Sequence, residues 1–472
     1  MSREGKLAKN TLILAIGTFL PKLAAFITLP ILTGYLTKEE YGTYDLITVL
    51  VSLILPAATL QIQTAAFRFL IDVRKEERRI KSIITNIFAF IIPTSLIALI
   101  VLYLFLPGSV FDKLLICAYF FADILVNGAR QVSRGLEKNL DFSISAIVSA
   151  VGKMIFAVIF VWYLRTGLTG SIIALFMASA ISLVVLMIKA KLYRYIDLSL
   201  ISWKEIKSLI AYSWPMVPNS MSMWVMRVSD RFVVTMFMGL SANAVYSVAN
   251  KIPSLLTLAQ STFTMAWQEN ASIVSKDDDA EAYYSAMFRT IFDLMAGFLG
   301  LLICVTPLLF VLLIRGDYGE AYFQMPVLFF GMFFYSLCAY LGGIYVAYKD
   351  TKSVGITTMA SAACNLIIDL ALIKFIGLYA ASGSTLISYL LLFLFRAIDV
   401  RKLVKVKYEI MHMIAVIGIL IVESILCFLQ MPVFDVINII LGVVVFFVLN
   451  KNFVKAVWNK GMKLIKKRFN SA

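Results

Sequence analysis

Ionisable side chains deep inside apolar segments are the residues of this sequence able to do chemistry. A charge in hydrocarbon is costly unless it faces a cavity or a partner. Lys22 stands about twelve residues from either end of the first apolar run, roughly 18 Å by helical rise and too far for its stem to reach an interface easily. Thr11, Thr18, Lys22 and Thr33 share one helical face by their spacing. The lysine is read either as a cavity-lining cation or as a structural residue paired to a neighbouring helix. Lys153 continues a face with Ser145 and Ser149. Arg227, Asp230 and Arg231 follow the helix-breaking Trp214-Pro215 and Pro218. Asp230 can neutralise one arginine and leave a net positive charge. A guanidinium is a planar fork that suits phosphate oxygens, whereas an ammonium is a point charge.

Polar residues extend these faces. Asp123, Asn127, Arg130 and Arg134 recur at four, three and four. Asp45, Thr48, Ser52, Thr59 and Gln63 form a stripe interrupted by Pro56, which can kink a helix. Tyr246, Asn250, Thr257, Gln260, Thr264 and Gln268 form another, able to hydrogen-bond sugar hydroxyls or to glue two helices. Asp45, Asp123, Asp369 and Glu423 are each able to bind a coupling proton or Na⁺, and spacing does not select among them. Asp293 pairs locally with Arg289. The single histidine, His412, is assigned no chemistry. Five cysteines, all in apolar segments without C-x-x-C spacing, indicate neither a metal site nor disulfides.

The elements that must position these residues are membrane spans. Hydrophobic residues make up 61% of the chain and charged ones 15%, against roughly 45–50% and 25% in soluble domains. The apolar runs are about 20–28 residues long, enough to cross a bilayer as helices. They predict an all-α integral membrane protein of about fourteen transmembrane helices. The seventh span is placed at 209–239 and the eighth at 245–267. Connecting loops are too short for a soluble catalytic domain, and no G-x-x-x-x-G-K-[ST] run is present.

The formal charge of +15 is a topology signal before it is a nucleic-acid one. Lys and Arg crowd alternate loops, so both termini are expected on the cytoplasmic side. Tyr41-Gly-Thr-Tyr-Asp-Leu and Val51-Ser-Leu-Ile line up with Asn243-Ala-Val-Tyr-Ser-Val and Pro253-Ser-Leu-Leu at an offset of 202. Six spans separate equivalent points, so the repeat is parallel, and such repeats place substrate between the halves. The expected organisation is a six-helix lobe at 1–208, a second at 209–408, two accessory helices at 409–450 and a basic amphipathic tail at 451–472.

Leu32-Thr-Gly-Tyr-Leu-Thr-Lys-Glu-Glu-Tyr-Gly-Thr-Tyr, Pro215-Met-Val-Pro-Asn-Ser, Ser229-Asp-Arg-Phe, Tyr246-Ser-Val-Ala-Asn-Lys-Ile-Pro and Ala266-Trp-Gln together resemble the Wzx-like polysaccharide repeat-unit flippases. That family belongs to the superfamily that also holds MATE exporters and the lipid II flippase MurJ. The resemblance implies two six-helix lobes that alternate between inward-open and outward-open states. It also implies a cationic cavity for the diphosphate of a polyprenyl-linked oligosaccharide, with Lys22, Lys153, Arg227 and Arg231 as the matching positions and Asp123, Asn127, Asn250, Gln260 and Asp230 as polar lining. Asp45, Asp369 and Glu423 are the candidates for ion coupling. The implied setting is the bacterial cytoplasmic membrane and the making of O-antigen, capsule or exopolysaccharide. Implied partners are lipid-linked oligosaccharide, membrane lipid, and polymerase and assembly proteins, with no nucleic acid, no metal and no cofactor beyond H⁺ or Na⁺. A lipid II flippase, a multidrug exporter and a membrane enzyme acting on lipid-linked sugars are the alternatives. Mainly basic deep charges argue against cationic drugs, and the lack of a sizeable external loop argues against the enzyme.

Overall fold

A computed structural model describes residues 3–73, 76–275, 277–451, 453–455 and 458, with backbone alone at 3–16, 18, 219, 227, 262, 265, 266, 269 and 351. The expected tail at 451–472 therefore lies mostly outside the described residues. The helices are α1 (Arg3–Tyr35), α2 (Lys38–Thr59), α3 (Ile62–Asp72), α4 (Glu77–Phe105), α5 (Val110–Gly135), α6 (Asn139–Phe156), α7 (Gly167–Lys189), α8 (Trp203–Ser213) and α9 (Met216–Met238). They continue as α10 (Leu240–Lys251), α11 (Ser254–Val274), α12 (Ala280–Leu313), α13 (Gly319–Ala347), α14 (Thr351–Ile376), α15 (Leu378–Asp399), α16 (Ile410–Phe428) and α17 (Pro432–Leu449). No strand occurs among the described residues. Among them, ten helices are long and apolar enough to cross a membrane, counting α6 with the π-helical turns Ala157–Tyr163 that extend it. This is a multi-pass, all-helical membrane protein.

Each expected span lies on one helix or on a pair. Helices α5, α9, α10 and α11 fall outside the ten, and they carry many of the polar candidates: Asp123 and Asn127; Arg227, Asp230 and Arg231; Asn250; and Gln260. Side chains that would be expensive in lipid lower the hydropathy of the helices that hold them.

Three boundaries differ from the sequence expectation. The kink expected at Pro56 is a full break one turn later, where Leu60 and Gln61 adopt left-handed backbone (φ 45° and 59°) between α2 and α3. Ser213 Oγ donates to the exposed Leu60 carbonyl at 2.9 Å and Gln61 Nε2 to Ser220 Oγ at 2.8 Å, so neighbouring helices satisfy the groups that the break frees. The seventh span starts at Met216 because Trp214-Pro215 ends α8, an amphipathic helix of its own. The eighth starts at Leu240 and breaks at Ile252-Pro253.

The contacts divide the chain into two compact units, one reaching Ala244 and joined by Leu313–Asp317, the other formed by Val245–Leu312 and Tyr318 onward. The first unit contains α1–α9. Its core holds Ile62, Ala65, Ala66 and Leu70 of α3 against Ile83, Ile84 and Ile87 of α4 and Ala129 and Val132 of α5. Gly17 lets α1 approach Ser143 of α6, and Gly135 lets α5 approach the Ala66 carbonyl. In the second unit α13 is the most buried span, packed by α11 and α15 on either side.

Candidate functional site

All four expected cationic positions fall in the first unit. Arg231 on α9 is paired with Asp45 on α2: its Nη1 donates to both carboxylate oxygens, at 3.0 and 2.9 Å. Asp45 is buried and Arg231 is largely so (side chains 3% and 17% exposed). The structure thus joins a residue expected to bind substrate and one expected to bind a coupling ion. Asp230, its neighbour, is buried and engaged. Lys22 lies on an exposed face of α1 and makes polar interactions there. The Arg227 side chain lies outside the described residues.

A second polar group spans α5, α6 and α7. Asn127 Nδ2 donates to the Asp123 carbonyl at 2.8 Å and its carboxylate at 2.9 Å, and Ser179 Oγ donates to the other carboxylate oxygen at 3.2 Å. Arg130 donates to Ser145 Oγ, the Ser145 carbonyl and Ser182 Oγ, each at 3.1 Å. Asp123 acts electrostatically on both Arg130 and Lys153. Two cations and one carboxylate leave a net positive charge, held by three helices and lined by serines. Arg130, third in the sequence stripe that starts at Asp123, belongs to this group. Ser145 lies on the face that sequence assigns to Lys153, whereas Ser179 and Ser182 are not singled out there because serine is common in membrane helix seams.

The remaining candidates lie in the second unit. Asn250 Nδ2 bonds its own helix at the Tyr246 carbonyl, 2.9 Å, and Gln260 Nε2 bonds Thr264 Oγ1 at 2.5 Å. Asp369 on α14 and Glu423 on α16 are fully buried. Sequence reasoning did not single out Arg396, which is 4% exposed within α15. It donates to the Cys338 carbonyl of α13 at 3.0 Å and to the Val354 carbonyl, Thr357 and Thr358 of α14 at 3.0–3.2 Å. His412, assigned no chemistry by sequence, places Nε2 2.6 Å from Asp293 Oδ1 and ties α16 to α12.

The motifs themselves do structural work. Thr37 and Glu40 form a capping box at the start of α2, and the other Glu40 oxygen accepts from Leu168 N at the start of α7. Thr33 Oγ1 accepts from Arg315 N at 3.0 Å. A Cβ on Gly42 would overlap the Leu240 carbonyl, and Asn243 Nδ2 donates to the Gly42 carbonyl at 3.1 Å. Positions 42 and 244, equivalent under the offset of 202, thus lie against each other. Trp267 stacks on Tyr340 at 4.4 Å and donates to its carbonyl at 2.8 Å.

Multiple apolar spans, broken helices and cations buried among polar side chains define a multi-pass, all-helical membrane protein. The family described as "polysaccharide biosynthesis protein" matches residues 7–269, and the chain belongs to that family. No curated protein matches at the sequence level. Among solved structures, the lipid II flippase MurJ in its inward closed conformation is similar at 14% identity, covering 94% of this chain and 99% of that one with a TM-score of 0.72. An inward-facing multidrug resistance MATE transporter of the MOP superfamily is similar at 12% identity, covering 84% and 98%, with a TM-score of 0.66. A MOP superfamily transporter from Pyrococcus furiosus, described as having a binding pocket of reversed polarity, is similar at 14% identity, covering 84% and 95%, with a TM-score of 0.56. These likenesses establish the fold.

Proposed function

We propose that this protein moves polyprenyl-diphosphate-linked oligosaccharide repeat units across the bacterial cytoplasmic membrane by alternating access, driven by an ion gradient, for surface polysaccharide assembly. In this reading both termini are cytoplasmic, residues 1–208 and 209–408 form two six-helix lobes, and 409–450 are accessory helices. The observation that carries it is membership of the polysaccharide biosynthesis family over residues 7–269, the stretch that holds Lys22, Lys153, Arg227 and Arg231. Cations in low dielectric bind a diphosphate far more strongly than in water. The hydroxyl, amide and serine groups nearby suit sugar hydroxyls.

Charge reversal tests the role of the cations. Lys22→Glu and Arg227→Glu are each expected to abolish delivery of polymer to the cell surface while the protein stays at its normal level in the membrane. Normal delivery in both variants would remove the cationic site from the account. A lipid II flippase remains the nearest alternative, since its substrate shares the diphosphate-polyprenyl head. Rescue of a strain depleted of its lipid II flippase, without restoration of polymer in a strain lacking this protein, would select that alternative.

A further inference from the structure

Glu423 stands in the middle of α16 where that helix packs on α12 and α17. Its side chain is fully buried. A Cβ built on Gly300 of α12 would lie 2.9 Å from its Oε2 and 3.4 Å from its Oε1, so the carboxyl points at the bare backbone of α12. Neither carboxyl oxygen has a hydrogen-bond partner among the described residues, and neither does Asn438 Oδ1 of α17. Asn438 Nδ2 gives one N–H to the Glu423 backbone carbonyl at 3.1 Å and bonds neither carboxyl oxygen. The seam therefore holds three buried acceptor oxygens to which no donor is bonded.

The titratable neighbours do not supply one. Cys304 of α12 donates to the Leu301 carbonyl and Cys427 of α16 to the Ile303 carbonyl. Tyr322 of α13 donates to the Cys427 carbonyl at 2.9 Å. Asp435 lies one turn before Asn438 on α17 and brings only further acceptors. An ionised carboxylate here would be buried with no cation or N–H bonded to it among the described residues, a state that costs several kcal/mol or more. A metal ion needs several oxygens at roughly 2.0–2.6 Å and room between them. The seam is too closely packed for that: a Cβ on Gly442 would lie 2.8 Å from Cys304 Sγ. A proton needs no volume, and on Glu423 it converts an acceptor into the missing O–H donor.

We propose that Glu423 is a membrane-buried proton-binding site, and that its proton holds the α16–α17 pair against α12. Loss of the proton leaves a carboxylate that must reach water, so release and reloading require the seam to part. Asp45 and Asp123 are already held by Arg231 and by Asn127 and Ser179. Only the coupling role of this proton rests on the ion-driven transport proposed above; its existence does not.

The test uses the full-length protein in liposomes. Infrared difference spectra between acid and alkaline pH are expected to show a carboxylic-acid C=O band that is absent in Glu423→Gln and unchanged when Na⁺ replaces choline. Maleimide labelling of Cys304 and Cys427, read by mass spectrometry, is expected to rise more steeply with pH in the unmodified protein than in Glu423→Gln. Identical infrared spectra for the two proteins, or a band that responds to Na⁺, would overturn the proton site. Equal labelling profiles would overturn the docking role. Absence of oligosaccharide transport in the same liposomes would count against the proposed function and leave the spectral result standing.

Discussion

At the residue scale, the informative pairing is Arg231 with Asp45. Two groups assigned by sequence to different tasks neutralise each other across α2 and α9. Removing one partner of a buried pair leaves an uncompensated charge, at a cost of about 3–5 kcal/mol, whereas removing both is far milder. Asp45→Asn and Arg231→Gln are each expected to lower the melting temperature of the purified protein, and the double variant to recover most of the loss. A double variant no more stable than the sum of the singles would mean that the pair is not the source of the effect. The cationic role proposed for the substrate site then rests on Lys22, Arg227 and the Lys153–Arg130–Asp123 group. Deep lysine and arginine were legible as candidates because hydropathy alone sets their depth. Their partners were not, because Asp45 and Arg231 are separated by 186 residues and no local periodicity links them.

At the element scale, helix existence was readable because twenty apolar residues in a row leave the backbone no choice but to hydrogen-bond itself. Breaks were less so. Trp214-Pro215 and Ile252-Pro253 announce themselves through proline, but the break at Leu60-Gln61 falls a turn after its proline, Pro56, and its place is upheld by Ser213 and Ser220 from other helices. Close approaches of helices likewise rest on single glycines. Gly42→Ala is expected to separate α2 from α10, where a Cβ would meet the Leu240 carbonyl, and to reduce thermal stability by several degrees. Gly355→Ala, with nothing within 4 Å of its added Cβ, is expected to be neutral or to stabilise by about 0.5–1 kcal/mol through helix propensity. Thermal unfolding of the two variants side by side checks this; equal losses would place the effect in the backbone of the helix rather than in the crossing.

At the scale of the whole molecule, the family matches over residues 7–269 and the fold is that of a multi-pass, all-helical membrane protein. Gly42 and Ala244, matched by the sequence offset of 202, lie together, and α16 carries one fully buried glutamate, Glu423. The central claim is that a diphosphate-linked oligosaccharide is moved by a site built on cations. Its most direct test is translocation by the full-length protein in liposomes, under an imposed proton or Na⁺ gradient, of a polyprenyl-diphosphate oligosaccharide against the same glycan on an uncharged polyprenyl ether. The account predicts gradient-dependent movement of the diphosphate-linked lipid alone, slowed at least about tenfold, equivalent to about 1.4 kcal/mol, by Lys22→Glu. Equal movement of both lipids, or an unimpaired Lys22→Glu, would contradict it.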